Sequence, residues 1–435
     1  MGYSSQTGLF GLGIQSGKGV PAAATRFARL RGGGLGGDRS LLIPDPEIGG
    51  NRDIPQAYLG PVSFSGDIDF YPRMEMVAML LRGVLGGAAS TNVAGTSEVQ
   101  TITITGTPTG GDFTLTYRGQ TTSALAHSST AANVDTALEA LSSIGAGNVV
   151  CAGGPLPGTP ITVTFGGALA NTNPPMMVPV SNLTGGTAPA IAVTASTPGA
   201  NPIGTHVLTP SDTLPWFTIE ERKSNTYESF QYTDAKINSV HLECDAAGFL
   251  MGSANIMALA GVSGFTAQST PAIDTSPMMV GTQISLLFGG VTLNAKSFGI
   301  DITNNIEGED YVLGSLYGAD LTEKRRELKI TANRRPSNST MWKNAMWGSS
   351  ALTAPQGGPA YSGPAQLVLS AYEFIAGTTP YSCTFDIPQL VIAPFNTQPN
   401  GDDVLSEDLE LTATRPDPLV PLVTVTVKND VTTVV

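Results

Sequence analysis

The sequence predicts a mainly β protein, a sandwich or barrel with short flanking helices, interrupted by a small inserted α+β domain. Three observations lead there. With 51 glycines and 31 prolines in 435 residues, frequent Thr, Ser and Val, and only 7% aromatics, the composition favours short strands and many turns over long helices. Patterns of alternating apolar and polar residues recur along the chain, the signature of half-buried strands. Between residues 101 and 200, only Asp112, Arg118, Asp135 and Glu139 carry charge, whereas both flanks are ordinary charged sequence. The flanks therefore read as one interrupted domain, 59–97 with 201–415, around an insert at 98–200.

Residues 1–58 lack sustained periodicity and contain Gly32-Gly33-Gly34-Leu35-Gly36-Gly37. Lys18, Arg26, Arg29, Arg31, Arg39 and Arg52 make this stretch basic, and Leu9, Phe10, Leu12, Ile14 and Phe27 supply apolar anchors. The expectation is an extended arm that orders against neighbouring subunits. From Pro61, Val62, Phe64, Ile68 and Phe70 fall on one face of a strand; after Pro72, Val77, Leu80, Leu81, Val84 and Leu85 follow helical spacing until Gly86-Gly87. In the insert, Phe113-Leu115-Tyr117 and Ile161-Val163-Phe165 alternate as strands. A helix between them is capped by Ser129 or Thr130, buries Val134, Ala137, Leu138 and Leu141, and is closed by Gly145. The insert's ends, near Gly95 and Pro202, must lie close together.

Beyond Ile203, strand patterns occupy 216–220, 236–242, 282–288, 291–302, 327–332, 365–371, 382–391 and 407–414. Ser337 is placed to cap a short helix with Met341, Trp342, Ala345 and Met346 inward. The last segment, 416–435, reads as a C-terminal arm whose alternating Val423-Thr424-Val425-Thr426-Val427 can add to a sheet edge.

Several function classes are disfavoured. A net charge of −13 argues against nucleic acid held by phosphate contacts, which need clustered Lys and Arg. Cys151, Cys244 and Cys383 are odd in number and far apart, so they read as small hydrophobes in a reducing compartment. The N-terminus shows neither a secretion signal nor a myristoylation pattern. Ala246 to Ala267 lacks charge but is broken by Gly248, Gly252, Gly261 and Gly264, as buried strands would be, and no membrane span is expected.

The residues also lack a catalytic constellation. His127, His206 and His241 are isolated, and no GxSxG elbow, Walker loop or HExxH motif occurs. No cofactor and no metal are expected. Two charged clusters remain. Lys324, Arg325, Arg326, Arg334 and Arg335 suit ion pairing across a subunit interface better than a nucleic-acid patch. The stretch with Asp301, Glu307, Glu309 and Asp310 lacks calcium-loop spacing.

With the insert set aside, the motif order resembles the tail tube family of long-tailed bacteriophages. The resemblance rests on four parts. They are the strand Pro61 to Phe70 with its helix ending Leu81-Arg82-Gly83-Val84-Leu85-Gly86; Leu214-Pro215-Trp216-Phe217-Thr218-Ile219-Glu220 with Asp234 to Val240; Ile300-Asp301-Ile302-Thr303-Asn304-Asn305; and Asp386 to Leu390 with Glu407 to Thr414. It implies a hexameric ring whose subunits pool strands into one barrel, rings stacked into a tube, and a lumen for DNA. It also implies, as partners, further copies of this chain, the tape-measure protein, and tail terminator and tip proteins in a virion tail assembled in host cytoplasm. Asp67, Asp69, Asp301, Glu307, Glu309 and Asp310 are the candidates for lumen or ring interface. The insert resembles a module within tail proteins of actinobacterial and related phages, through Phe113 to Gly119, Val134 to Leu141 and Gly145 to Val149; that likeness implies a place on the particle's outer surface. The rival expectation is an adhesive, carbohydrate-binding virion protein acting through the insert. An enzyme has no residue set behind it.

Overall fold

The computed structural model describes residues 7–45, 48, 53, 56–224, 228–308, 310–397 and 405–434. The N-terminal part forms β1 (Leu9–Ile14), β2 (Arg26–Ala28), β3 (Leu30–Gly33), β4 (Gly36–Leu42), β5 (Tyr58–Phe70), α1 (Met74–Leu85) and β6 (Gly86–Val93). There follow β7 (Val99–Thr105), β8 (Gly110–Tyr117), β9 (Gln120–Thr121), β10 (Leu125–Ala126), α2 (Ala131–Glu139), β11 (Val149–Gly153), β12 (Ile161–Phe165), β13 (Val178–Thr184) and β14 (Ala190–Thr197). The chain continues with β15 (Ile203–Pro210), β16 (Phe217–Arg222), β17 (Ser229–Asp245), β18 (Met251–Ser263), β19 (Ile284–Phe288), β20 (Val291–Thr292) and β21 (Ala295–Thr303). It closes with β22 (Glu327–Arg334), α3 (Thr340–Trp347), β23 (Ser362–Ala376), β24 (Thr379–Ile392), β25 (Glu407–Ala413) and β26 (Thr424–Asn429). The protein is thus mainly β and antiparallel, as its alternating patterns predict.

One 18-stranded hydrogen-bonded network folds around a single large core, and α1 lies in that core. Every α1 residue except Glu75 and Arg82 is buried, which is why its apolar positions run almost all round the helix. Close packing on β17 depends on Gly83: a Cβ there would stand 2.4 Å from Ile237 Cγ1. The helix ends are satisfied from remote loops. Ser276 Oγ accepts from Met74 N at 2.9 Å and Asp274 Oδ2 from Met76 N at 2.8 Å. At the other end Gly86, with φ +96°, turns the chain, Ser211 N donates to Leu85 O, and Asn304 Nδ2 donates to Val84 O. Gly87 does not continue a turn, because it already belongs to β6.

The start of α1 also gathers charge. Arg26 Nε lies 2.7 Å from Glu75 Oε2, yet burial, and then repulsion from Asp274, pushes the Glu75 carboxyl up to about 7, with Asp430 adding to the rise. A carboxyl raised in the folded state favours the protonated form. Its contribution is therefore complete below the usual value near 4.5 and is lost as pH rises through about 7. That difference corresponds to roughly 3 kcal/mol. Wild-type protein is expected to lose thermal stability between pH 5 and pH 8, and Glu75→Gln to flatten that decline; parallel pH profiles of the two proteins would contradict the assignment.

Residues 99–197 fold apart from the main sheet. They build two four-stranded sheets, β10-β8-β13 with β9 beside β8, and β11-β12-β7-β14. Their core contains Phe113, Leu115, Tyr117, Val134, Leu138, Ile161, Val163 and Phe165. Thr130 caps α2 by accepting from Asn133 N. The ends meet as the sequence requires: β6 pairs with β15 out to Val93↔Ile203, and Thr96 and Ala200 exchange both backbone hydrogen bonds, at 2.8 and 2.9 Å. Inside this neck Glu98 is buried, accepting from Gln100 Nε2 at 2.7 Å and Gly199 N at 3.3 Å.

Both terminal segments differ from the arms expected of them. β1 pairs with β16 and β2, and its Phe10 and Leu12 lie in the main core with Leu35. Only β4 keeps an arm's exposure, open to solvent at all seven positions and paired solely with β5. At the other terminus β26 is interior, between β15 and β24, with Val423, Val425 and Val427 fully buried. Alternation alone cannot distinguish an edge strand from a central one. α3 begins after Ser339, not Ser337, with Asn338 Oδ1 accepting from Thr340 N; Asn344 is buried and Met346 exposed.

Candidate functional site

Six neighbouring strands, β5, β18, β17, β21, β22 and β25, bury one face in the core and leave the other polar. Cross-strand partners in an antiparallel sheet share a face, so the register assembles rows. One row runs Asp69, Ser253, His241, Asp301, Lys329, Thr412. Its neighbour on one side runs Asp67, Asn255, Ser239, Thr303, Glu327. On the other side lie Met251, Glu243, Gly299, Thr331, Glu410, followed by Asp245, Ser297, Asn333, Asp408. Eight carboxylates, from Asp67, Asp69, Glu243, Asp245, Asp301, Glu327, Asp408 and Glu410, thus share the face with one lysine and one histidine.

The polar groups are fixed by short contacts. His241 Nδ1 lies 2.6 Å from Asp301 Oδ1, and its other nitrogen 3.5 Å from Glu243. The Asp301 hydrogen bond holds the imidazole above its usual pKa, against the opposing effect of burial. Asn255 donates to Asp67 at 2.7 Å, and Asn333 to Asp408 at 2.6 Å. At Gly299 the missing side chain opens a trough of about 560 Å³ between His241, Thr331 and Glu410. Such a face repels polyanions, and of the side chains in these rows only Met251 is apolar.

The acidic candidates divide. Asp67, Asp69 and Asp301 come together on this face. Glu307 lies in a loop, paired with Lys324 at 2.7 Å, and Asp310 is exposed in the same loop. Glu309 falls outside the described residues. Glu243, Asp245, Glu327, Asp408 and Glu410 were missed; their signal is the alternation of acids with apolar residues in His241-Leu-Glu-Cys-Asp245 and Asp408-Leu-Glu-Leu411.

The basic candidates divide as well, and three find partners within the chain where intersubunit pairing was expected: Lys324 with Glu307, as above, and Arg326 and Arg334. Arg326 is half-buried and donates to Asn304 Oδ1, Ser211 O and Leu85 O, so its charge serves the C-terminal end of α1. Arg334 pairs with Glu407 at 2.7 Å across β22 and β25, the side chains only 12% and 2% exposed. Arg325 and Arg335 are exposed. Among the described residues no cluster of His, Cys, Asp and Glu suits a metal ion, and no helix is long and apolar enough to cross a membrane. All three cysteines are free thiols, Cys244 and Cys383 buried and Cys151 half-buried.

Two apolar surfaces lie at opposite ends of β5, whose 13 residues span roughly 40 Å at strand rise. At its start, Tyr58 and Leu59 stand exposed beside Leu41, Leu42 and Ile43, and the loop with exposed Val312, Leu313, Leu316 and Tyr317 joins the same strand at Val62. Past its end, exposed Tyr71 and Phe249 meet edge to face at 6.1 Å, and the Arg31 guanidinium lies 5.1 Å from the Tyr71 ring. Among the described residues, the strands of the main sheet that pair on one side only include β4, beyond β5, and β6, beyond β15.

No curated protein matches the chain. A profile of the phage tail tube protein family matches residues 5–413, nearly the whole chain and both flanks of the low-charge segment. The chain therefore belongs to the phage tail tube protein family, and is a structural component of the virion tail.

Proposed function

We propose that six copies form a ring with the acidic face of β5, β18, β17, β21, β22 and β25 turned toward a central bore, and that rings stack into a conduit for DNA. The observation that carries this reading is the concentration of eight carboxylates on one continuous sheet face. Like charge and complete backbone pairing leave a translocating polyanion nothing to bind. The open edges of β4 and β6 support ring closure, since unpaired strand edges call for a partner. Apolar surfaces at opposite ends of β5 are different surfaces, so they suit head-to-tail association, which propagates instead of closing. Tape-measure protein would fill the bore before DNA, and terminator and tip proteins would cap the stack. No catalytic step enters this function.

We place residues 98–200 outside the wall as a separate domain. Its own core, its own sheets and the closed neck at Thr96 and Ala200 support that division. The adhesive alternative finds no stacking platform here, because Phe113, Tyr117 and Phe165, the aromatics of residues 98–200, are all buried. Replacing residues 96–200 by a short turn is expected to leave a folded protein that still forms tubes in negative-stain images. A deletion variant that folds but yields only single subunits would instead place the segment in the tube wall.

A further inference from the structure

With the aromatics of residues 98–200 in their own core, the half-buried indoles of α3 offer one platform for a flat ligand. Trp342 and Trp347 pack edge to face, centroids 5.2 Å apart at 69°, and the Lys343 ammonium stands 5.3 Å from the Trp347 ring. This bracing holds both indoles in place. Trp342 lines an open groove of about 630 Å³ together with Asn338, Asn396, Thr397 and the hydroxyls of Ser337 and Ser339.

The chemistry of that groove is selective. Asn338 uses its Oδ1 on Thr340 N, which leaves its amide nitrogen available; Asn396 is exposed and, among the described residues, its side chain engages no group; and the Thr397 hydroxyl oxygen is buried without a partner among the described residues. Glu407 also reaches the groove, but its charge is cancelled by Arg334. Among the described residues that line the groove, a phosphate or sulfate would find no spare cation, and a metal no spare carboxylate. A purely apolar ligand would strand neutral hydrogen-bonding groups.

We propose that this groove binds a neutral saccharide. Trp342 would stack against the C–H face of a pyranose ring, and the amides of Asn338 and Asn396 would pair with its hydroxyls. This site is distinct from the acidic face and from the insert. Its occupant would be a neutral glycan of a cell surface or capsule, met by the outside of the particle.

The test titrates the full chain with maltotetraose, mannotetraose and cellotetraose, followed by calorimetry and tryptophan fluorescence. At least one should bind with a dissociation constant in the millimolar range or tighter, and Trp342→Ala should weaken it about tenfold or more, on the order of 1.4 kcal/mol. Trp342→Phe should retain part of the affinity. Should Trp342→Ala lower the melting temperature, the double variant Asn338→Ala/Asn396→Ala carries the test, with a severalfold loss expected. Absence of binding for all three glycans overturns the proposal, as does affinity unchanged in a folded Trp342 variant or in the double variant. Loss of tube assembly in these variants without loss of glycan binding would make the groove a subunit contact and overturn it too.

Discussion

Leu41→Asp combined with Leu59→Asp is expected to abolish the proposed tube formation while leaving the subunit folded. The two leucines are direct cross-strand partners in the β4–β5 pair, and both are exposed in the single chain. Neither contributes to the core, so the loss of subunit stability should stay near the roughly 1 kcal/mol expected of like charges placed opposite each other on an exposed strand pair. In the assembly each leucine would bury its side chain, gaining about 1.5–3 kcal/mol. A carboxylate forced into the same contact loses that gain and adds a desolvation cost. Because every subunit contact carries the loss, a more than 100-fold rise in the concentration needed for assembly is a conservative expectation, equivalent to about 3 kcal/mol per contact. Sedimentation velocity and negative-stain imaging read both halves of the result. Tubes of normal length from the double variant would remove this end of β5 from the interface.

The second large effect lies in the fold. Glu407→Ala should destabilise the subunit by about 3–5 kcal/mol, because it leaves the Arg334 guanidinium buried without its partner. The pair sits between neighbouring strands, Arg334 opposite Glu407 in the register. Replacing both residues together, with Met at 334 and Leu at 407, should restore most of the loss, since an apolar pair of similar volume avoids both desolvation costs. Urea unfolding of the three proteins measures it. An effect below about 1 kcal/mol for Glu407→Ala would mean that water reaches the pair and that it behaves as a surface ion pair.

The strands and helices that carry strong periodicity were readable from the residues alone. Val62 to Phe70, the helix from Met74 to Leu85, and Phe113-Leu115-Tyr117 of β8 lie where their patterns place them, because burial on one face is what creates the pattern. β6 was unreadable for the opposite reason: Gly86-Gly87-Ala-Ala-Ser-Thr-Asn-Val93 is an exposed edge strand with no buried face to mark. β1 was hidden by Gly11 and Gly13, which pack against Phe27 and the Ala23 carbonyl and so resemble arm sequence while belonging to the core.

Charge was the least legible feature. Arg326 and Arg334 look on paper like the exposed Arg325 and Arg335, but a half-buried guanidinium must find acceptors, and these lie far away in sequence, at Leu85, Ser211 and Glu407. The acidic face followed the same logic in reverse. Asp67, Asp69 and Asp301 could be singled out one strand at a time, whereas the rows that join them to Glu243, Asp408 and Glu410 exist only through strand pairing.

A helical reconstruction of the assembled particle, at a resolution that traces the strands, puts the proposed architecture to the hardest test. Six copies are expected around a hollow axis, with Asp69, His241, Asp301 and Lys329 in a row facing the bore and Tyr71 of one ring toward Tyr58 of the next. A bore lined by another surface, with the Asp69-to-Lys329 row on the outside or buried between subunits, would contradict it.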